Sequence, residues 1–204
     1  MDETLTADKM SRLKPDLVVS CGDLPFDYLE YLVSLADVPL LYVPGNHDPS
    51  LRPVDTTWSP LRHESIQRGP AGCDNIDGRV VDVAGLRVAG LGGSFRYRSG
   101  ANQYSQAQMR WRVAALEFRI RLKRVRRGRK LDALVTQAPP YRASAAVDPA
   151  HVGFAAFLQV IRDLHPLLLV HGHVHPYGRP QPEREVGATR IVNAVPSRLV
   201  EIGV

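Results

Sequence analysis

The chain has 204 residues, 44% of them hydrophobic and 23% charged, with a net charge of +5. That balance excludes a disordered chain and is expected to fill one well-buried domain over residues 1–204. With two cysteines, no apolar run approaching membrane-spanning length and no basic-then-apolar leader before MDETLTADK, neither a disulfide framework nor a membrane protein is indicated, and a cytoplasmic location is expected.

Residues 16–20 (DLVVS) read as a short buried strand, and residues 26–36 (FDYLEYLVSLA) as a helix with Asp27 as its N-cap. Residues 39–43 are the next strand. From 49 to 75, prolines and glycines interrupt any period, which predicts irregular structure. Two β-like runs flank Ala84-Gly85 in RVVDVAGLRVAGLGG, the pattern of a hairpin.

A long helix follows over residues 105–127. In it Trp111, Ala115, Phe118, Leu122 and Val125 recur at spacings of four and three, which predicts that this stripe packs inward and leaves a basic face outside. Residues 119–130 carry much of the positive charge, either as a solvated arginine face or as an electrostatic funnel toward a phosphorylated or nucleic-acid partner. Residues 131–137 are a strand, 151–164 a helix and 166–172 a strand. The end, ATRIVNAVPSRLVEI, reads as two more strands.

Continuous apolar strands alternating with helices describe an α/β protein with both sheet faces covered, and such sheets carry their chemistry beyond the carboxyl ends of the strands. The polar residues fall there. Asp23 follows LVVSCG, Asn46 and His47 follow LLYVPG, Gln137 ends LDALVT, and His171 and His173 follow PLLLV. Carboxylate, amide oxygen and imidazole together suit manganese, iron or zinc. Gly22, Gly45 and Gly172, beside these residues, allow tight turns that bring the donors toward one point.

In order and spacing, Gly22-Asp23, the GNHD of residues 45–48 and the GHVH of residues 172–175 resemble the motifs of the calcineurin-like metallophosphoesterases. The resemblance implies a four-layer α/β/β/α sandwich and metal-dependent hydrolysis of a phosphoester with one or two divalent ions. It implies that Asp23 bridges two metals, that Asn46 and His173 bind one of them and His175 the other, and that His47 serves the leaving oxygen. His171 has no role in the motif and is read as packing or supporting the ligands. Asp48 orients His47 or caps the turn.

Two departures qualify the resemblance. No strand ending in D-x-H precedes residue 16, so either that core strand is encoded upstream of Met1 or the sheet lacks it. In VTQAPPY the family's T-H-x-P-P histidine is replaced by Gln137, which offers only a neutral oxygen. One metal then keeps Asp23 and His175, and the other keeps Asp23, Asn46 and His173, with Gln137 as a weak fourth ligand. The layout from residue 136 to 178 is similar to small members acting on phosphodiesters such as cyclic nucleotides, so a small phosphoester is the expected substrate. The alternative reading is a catalytically impaired member kept as a ligand-binding or interaction module. Arg52, Arg96 and Tyr141 are further polar residues near these segments, with no spacing that assigns them to a substrate. The sequence carries no reading of oligomeric state.

Overall fold

The structure, a computed structural model, describes residues 5–49, 51, 69–123, 130–141, 151–175 and 182–203. Arg52, Val125, most of the expected irregular segment (52–68) and residues 124–129 of the basic stretch lie outside the described residues.

In chain order, α1 (Ala7–Leu13), β1 (Val18–Ser20), α2 (Phe26–Ala36), β2 (Leu40–Tyr42) and β3 (Cys73–Asn75) come first. They are followed by β4 (Val80–Val83), β5 (Leu86–Leu91), β6 (Ser94–Phe95), β7 (Gln103–Tyr104) and α3 (Gln106–Leu122). The last elements are β8 (Ala133–Thr136), α4 (Ala155–Leu164), β9 (Leu168–His171), β10 (Arg184–Val186) and β11 (Thr189–Asn193). One sheet is parallel with order β1-β2-β3, and a second has order β10-β11-β9-β8-β5-β4. The four inner strands of the second sheet run parallel, with antiparallel hairpin partners at its edges.

Strand alternation sorts the apolar residues into layers. Leu41, Val88, Val135, Val170 and Val192 meet between the two sheets. Ala89, Leu91, Leu134, Leu169 and Ile191 point the other way, onto α3 and α4. On the far side, Leu29 and Leu32 of α2 cover Leu40 and Tyr42 of β2. The result is the expected α/β/β/α sandwich.

Several local expectations are corrected. Helix α2 is entered through Pro25, with no side-chain cap; Asp27 lies in the first turn, where its charge suits the helix N-terminus. The expected irregular segment ends in β3, which pairs with β2 although its sequence, CDN, has no strand signature. Near the C-terminus only the first expected strand forms, as β11, and its hairpin partner β10 lies upstream.

The largest correction concerns α3. Its Ser105–Gln108 capping box fixes the start, but its buried face is Met109, Val113, Leu116 and Ile120, packed on β5 and α4. Trp111 is 79% exposed, Phe118 63% and Leu122 71%, and Ala115 is also on the outside. The inward stripe predicted from the sequence therefore faces solvent.

Candidate active site

The chain leaves β1 through Gly22 (φ 88°) and Asp23 (φ 59°), both left-handed, so the Asp23 side chain turns back toward the loop after β2. A Cβ on Gly22 would lie 2.7 Å from the Gly45 nitrogen. Gly45 needs no unusual φ. It is required by proximity, because a Cβ there would stand 2.1 Å from Asp23 Oδ1. The two loops are stapled by Asp48, whose Oδ2 accepts the backbone N–H of Gly45 at 2.7 Å and of Asp23 at 3.1 Å. Asp48 thus caps the turn and holds Asp23, rather than orienting the His47 ring. Asn102, ahead of β7, donates to the Gly45 carbonyl at 2.8 Å and braces the loop from outside.

The second sheet supplies the facing wall. Parallel pairing of β8 and β9 brings their ends together, and the Gly172 N–H donates to the Gln137 carbonyl at 3.0 Å. His173 adopts φ 64°, a rare conformation for this residue, and so projects across toward Asp23. The buried Asn193 side chain fixes the following backbone by donating to the Val174 carbonyl at 2.7 Å. His171 is buried behind, its Nδ1 donating to the Gly172 carbonyl at 3.0 Å.

Four of the residues expected from the sequence meet at one point. The Gln137 Nε2 lies 2.6 Å from Asp23 Oδ2, 2.6 Å from Asn46 Oδ1 and 3.2 Å from His173 Nδ1. Asp23 Oδ2 and His173 Nδ1 are 3.7 Å apart. Burial raises the Asp23 carboxyl pKa, but hydrogen bonds from His173, from the His47 backbone and from Gln137, with the charge of His47, bring it below its ordinary value. Asp48 moves the opposite way: burial raises it, helped by the nearby Asp23 charge, against the stabilising N–H groups of Gly45 and Asp23.

The other two expected residues stand apart. His47 donates its backbone N–H to Asp23 Oδ1 at 2.8 Å, while its side chain is exposed and lines a cleft of about 410 Å³ with Asp23, Leu24, Phe26 and Asp48. His175 is exposed, outside the cluster formed by the other four. Arg96 is tied to Gln108 and the Gln103 carbonyl. Tyr141 follows β8, its backbone N–H donated to the Phe154 carbonyl.

Three supporting residues escaped the sequence reading. Tyr97 accepts from the Asn46 amide at 3.3 Å. The His151 ring lies 4.9 Å from that of His173. Asn102, at φ 50°, had a legible signal, since asparagine after Gly-Ala is a common left-handed turn residue. Tyr97 and His151 reach the site through tertiary contact alone.

Among the described residues no group of three His, Cys, Asp or Glu side chains is placed to hold a metal. The convergence consists instead of one carboxylate, one imidazole and two amides. This set fits one cation and not two. The Asp23–His173 separation is close to that of two ligands each about 2.1 Å from a shared ion. The Gln137 amide nitrogen faces the Asp23 and Asn46 oxygens, while its own Oε1 is buried with no hydrogen-bond partner. An ion at the centre would give Oε1 a partner and offset the mutual repulsion of the Asp23 and Asn46 oxygens. The carboxylate and imidazole needed for a second ion are not brought in among the described residues.

A layered α/β sandwich that gathers carboxylate, amide and imidazole at the carboxyl ends of parallel strands has the architecture of the metallohydrolases. The calcineurin-like phosphoesterase family matches residues 3–177, and the chain belongs to it. Two solved structures share the fold. One crystal structure aligns with a TM-score of 0.60 at 18% identity, over 92% of this chain and 82% of the other. The crystal structure of TT1561 of Thermus thermophilus aligns with a TM-score of 0.57 at 17% identity, over 92% of this chain and 80% of that one. No curated protein matches the chain.

Proposed function

We propose that the chain hydrolyses a small phosphoester, most readily a phosphodiester, with a single divalent cation held by Asp23, Asn46, His173 and the carbonyl oxygen of Gln137. The observation that carries this reading is the meeting of these four side chains, from four separate strand ends, at one partly buried point. Manganese, iron and zinc all suit such a mixed oxygen and nitrogen set. A cation bound there supplies Lewis-acid polarisation of a phosphoryl oxygen.

The chain's own groups account for the remaining requirements. Asp23 is the only carboxylate among the four, so about one unit of positive charge is left over, which complements a monoanionic diester better than a dianionic monoester. His47, exposed on the cleft wall, is free to approach a bound ester and hold a proton at its leaving oxygen. The staple from Asp48 fixes Asp23 and Gly45 against recoil, so that the donors keep their spacing while the ester is bound. Among the described residues no helix is long and apolar enough to cross a membrane.

One observation favours a second reading, a member that binds its ligand without turnover: the Gln137 nitrogen, not its oxygen, faces Asp23, Asn46 and His173. Purified protein assayed with manganese on bis-p-nitrophenyl phosphate separates the two. The proposal expects hydrolysis that disappears in both Asp23→Ala and His47→Ala. Activity persisting in both variants refutes it, and absence of activity at every manganese concentration selects the second reading.

A further inference from the structure

We propose that the Gln137 side-chain amide is a rotating cover for the cation position, nitrogen inward when no ion is present and oxygen inward when one is bound. The inference rests on the cation site proposed above and adds to it a way of surviving without the ion.

Asp23 Oδ2 and Asn46 Oδ1 are acceptors turned toward one point, where they repel one another, and Asp23 brings a full negative charge. A histidine facing Asp23 and Asn46 through a basic nitrogen would add a third acceptor. An amide differs, since one end donates and the other accepts on the same planar group. With Nε2 inward, Gln137 cross-links loops from three other strand ends through bonds of 2.6 Å to Asp23 and Asn46 and a 3.2 Å contact to His173. Its outward atom, Oε1, has no partner.

That orphaned atom makes the rotation cheap. A half-turn about the Cγ–Cδ bond exchanges two atoms of nearly equal size, and the outward oxygen has no hydrogen bond to break. What changes on the inward side is a donor between two oxygen acceptors, or a third oxygen facing a cation. The species at the centre therefore selects the orientation, which is a population shift driven by differential contacts. Gln137 is fully buried and its backbone is pinned by the Gly172 N–H, so the side chain responds without moving the strand.

The test uses the 204-residue chain, chelator-stripped and isotope-labelled at nitrogen, with zinc as a diamagnetic probe. The Gln137 NH2 signals are identified by their loss in Gln137→Glu. Without zinc they should be slow to exchange with solvent, and zinc should shift them and speed their exchange in proportion to binding measured by calorimetry. Gln137→Glu should be less stable than wild type without metal, having lost its donors and set a second carboxylate against Asp23. It should bind zinc at least roughly tenfold more tightly, through the added charge. If calorimetry shows zinc bound while the NH2 signals and their exchange stay unchanged, the cover is refuted and the cation site stands. If zinc binds neither wild type nor Gln137→Glu, the cation site itself fails, and the cover with it.

Discussion

His171 shows how the buried end of β9 ties stability to pH. The side chain is 3% exposed, with its Nδ1 against the Gly172 carbonyl. Burial outweighs that hydrogen bond and, with the charge of His173, lowers its pKa from the ordinary 6.5 to about 4. Above 6.5 the ring is neutral in the folded and unfolded chain alike, and pH does not act through it. As pH falls from 6.5 toward 4, the unfolded chain accepts a proton that the folded protein refuses, so stability declines across that window. The full decline is about 3 kcal/mol, from about 1.4 kcal/mol for each tenfold difference in proton affinity. Below about 4 both states are protonated and this contribution is flat. Denaturant unfolding of wild type and His171→Asn at a series of pH values measures it. The variant is expected to be less stable at neutral pH and to lose less on acidification. Asp23, lowered in the fold, and Asp48, raised, also act at acid pH in opposite senses, but both chains share them. Equal slopes for the two proteins between pH 6.5 and 4 would refute the assignment.

Two further outcomes follow from the packing. Gly45→Ala places a methyl group 2.1 Å from Asp23 Oδ1, which must move; a stability loss of about 1–3 kcal/mol and weaker manganese binding are expected. Unfolding and calorimetry check it, and unchanged manganese affinity would show that Asp23 need not hold its place. On α3, Leu116→Ala should cost about 2–5 kcal/mol and Phe118→Ala no more than about 0.5 kcal/mol. The reverse ranking in denaturant midpoints would restore the face expected from sequence.

What the sequence made legible was whatever depends on near neighbours along the chain. Short continuous apolar runs located most strands, and Ala84-Gly85 located the hairpin, because run length and turn chemistry are local. Strand ends located the polar cluster for the same reason, since parallel strands must deliver their exits to one edge. The face of α3 was not legible. Met109, Val113, Leu116 and Ile120 carry the same four-three-four spacing as Trp111, Ala115, Phe118 and Leu122, so the helix offers two apolar stripes, and only contact with β5 and α4 decides between them. Strand β3 was hidden because its pairing with β2, not its own side chains, makes it a strand.

The same division separates Gln137 as a residue type from Gln137 as a functional group. Its place at the end of β8 could be read locally, and with it the loss of an imidazole. Which end of its amide turns inward depends on Asp23, Asn46 and His173, which lie on other loops and come together only in the folded sandwich. A substitution that looks like a weakened ligand on paper thus acquires, in three dimensions, a two-proton donor where a neutral imidazole has a single N–H. Whether Gln137 hinders the site or protects it is then a question about the free energy of the metal-free state as much as the bound one, and the stability of Gln137→Glu without metal is where the two accounts diverge.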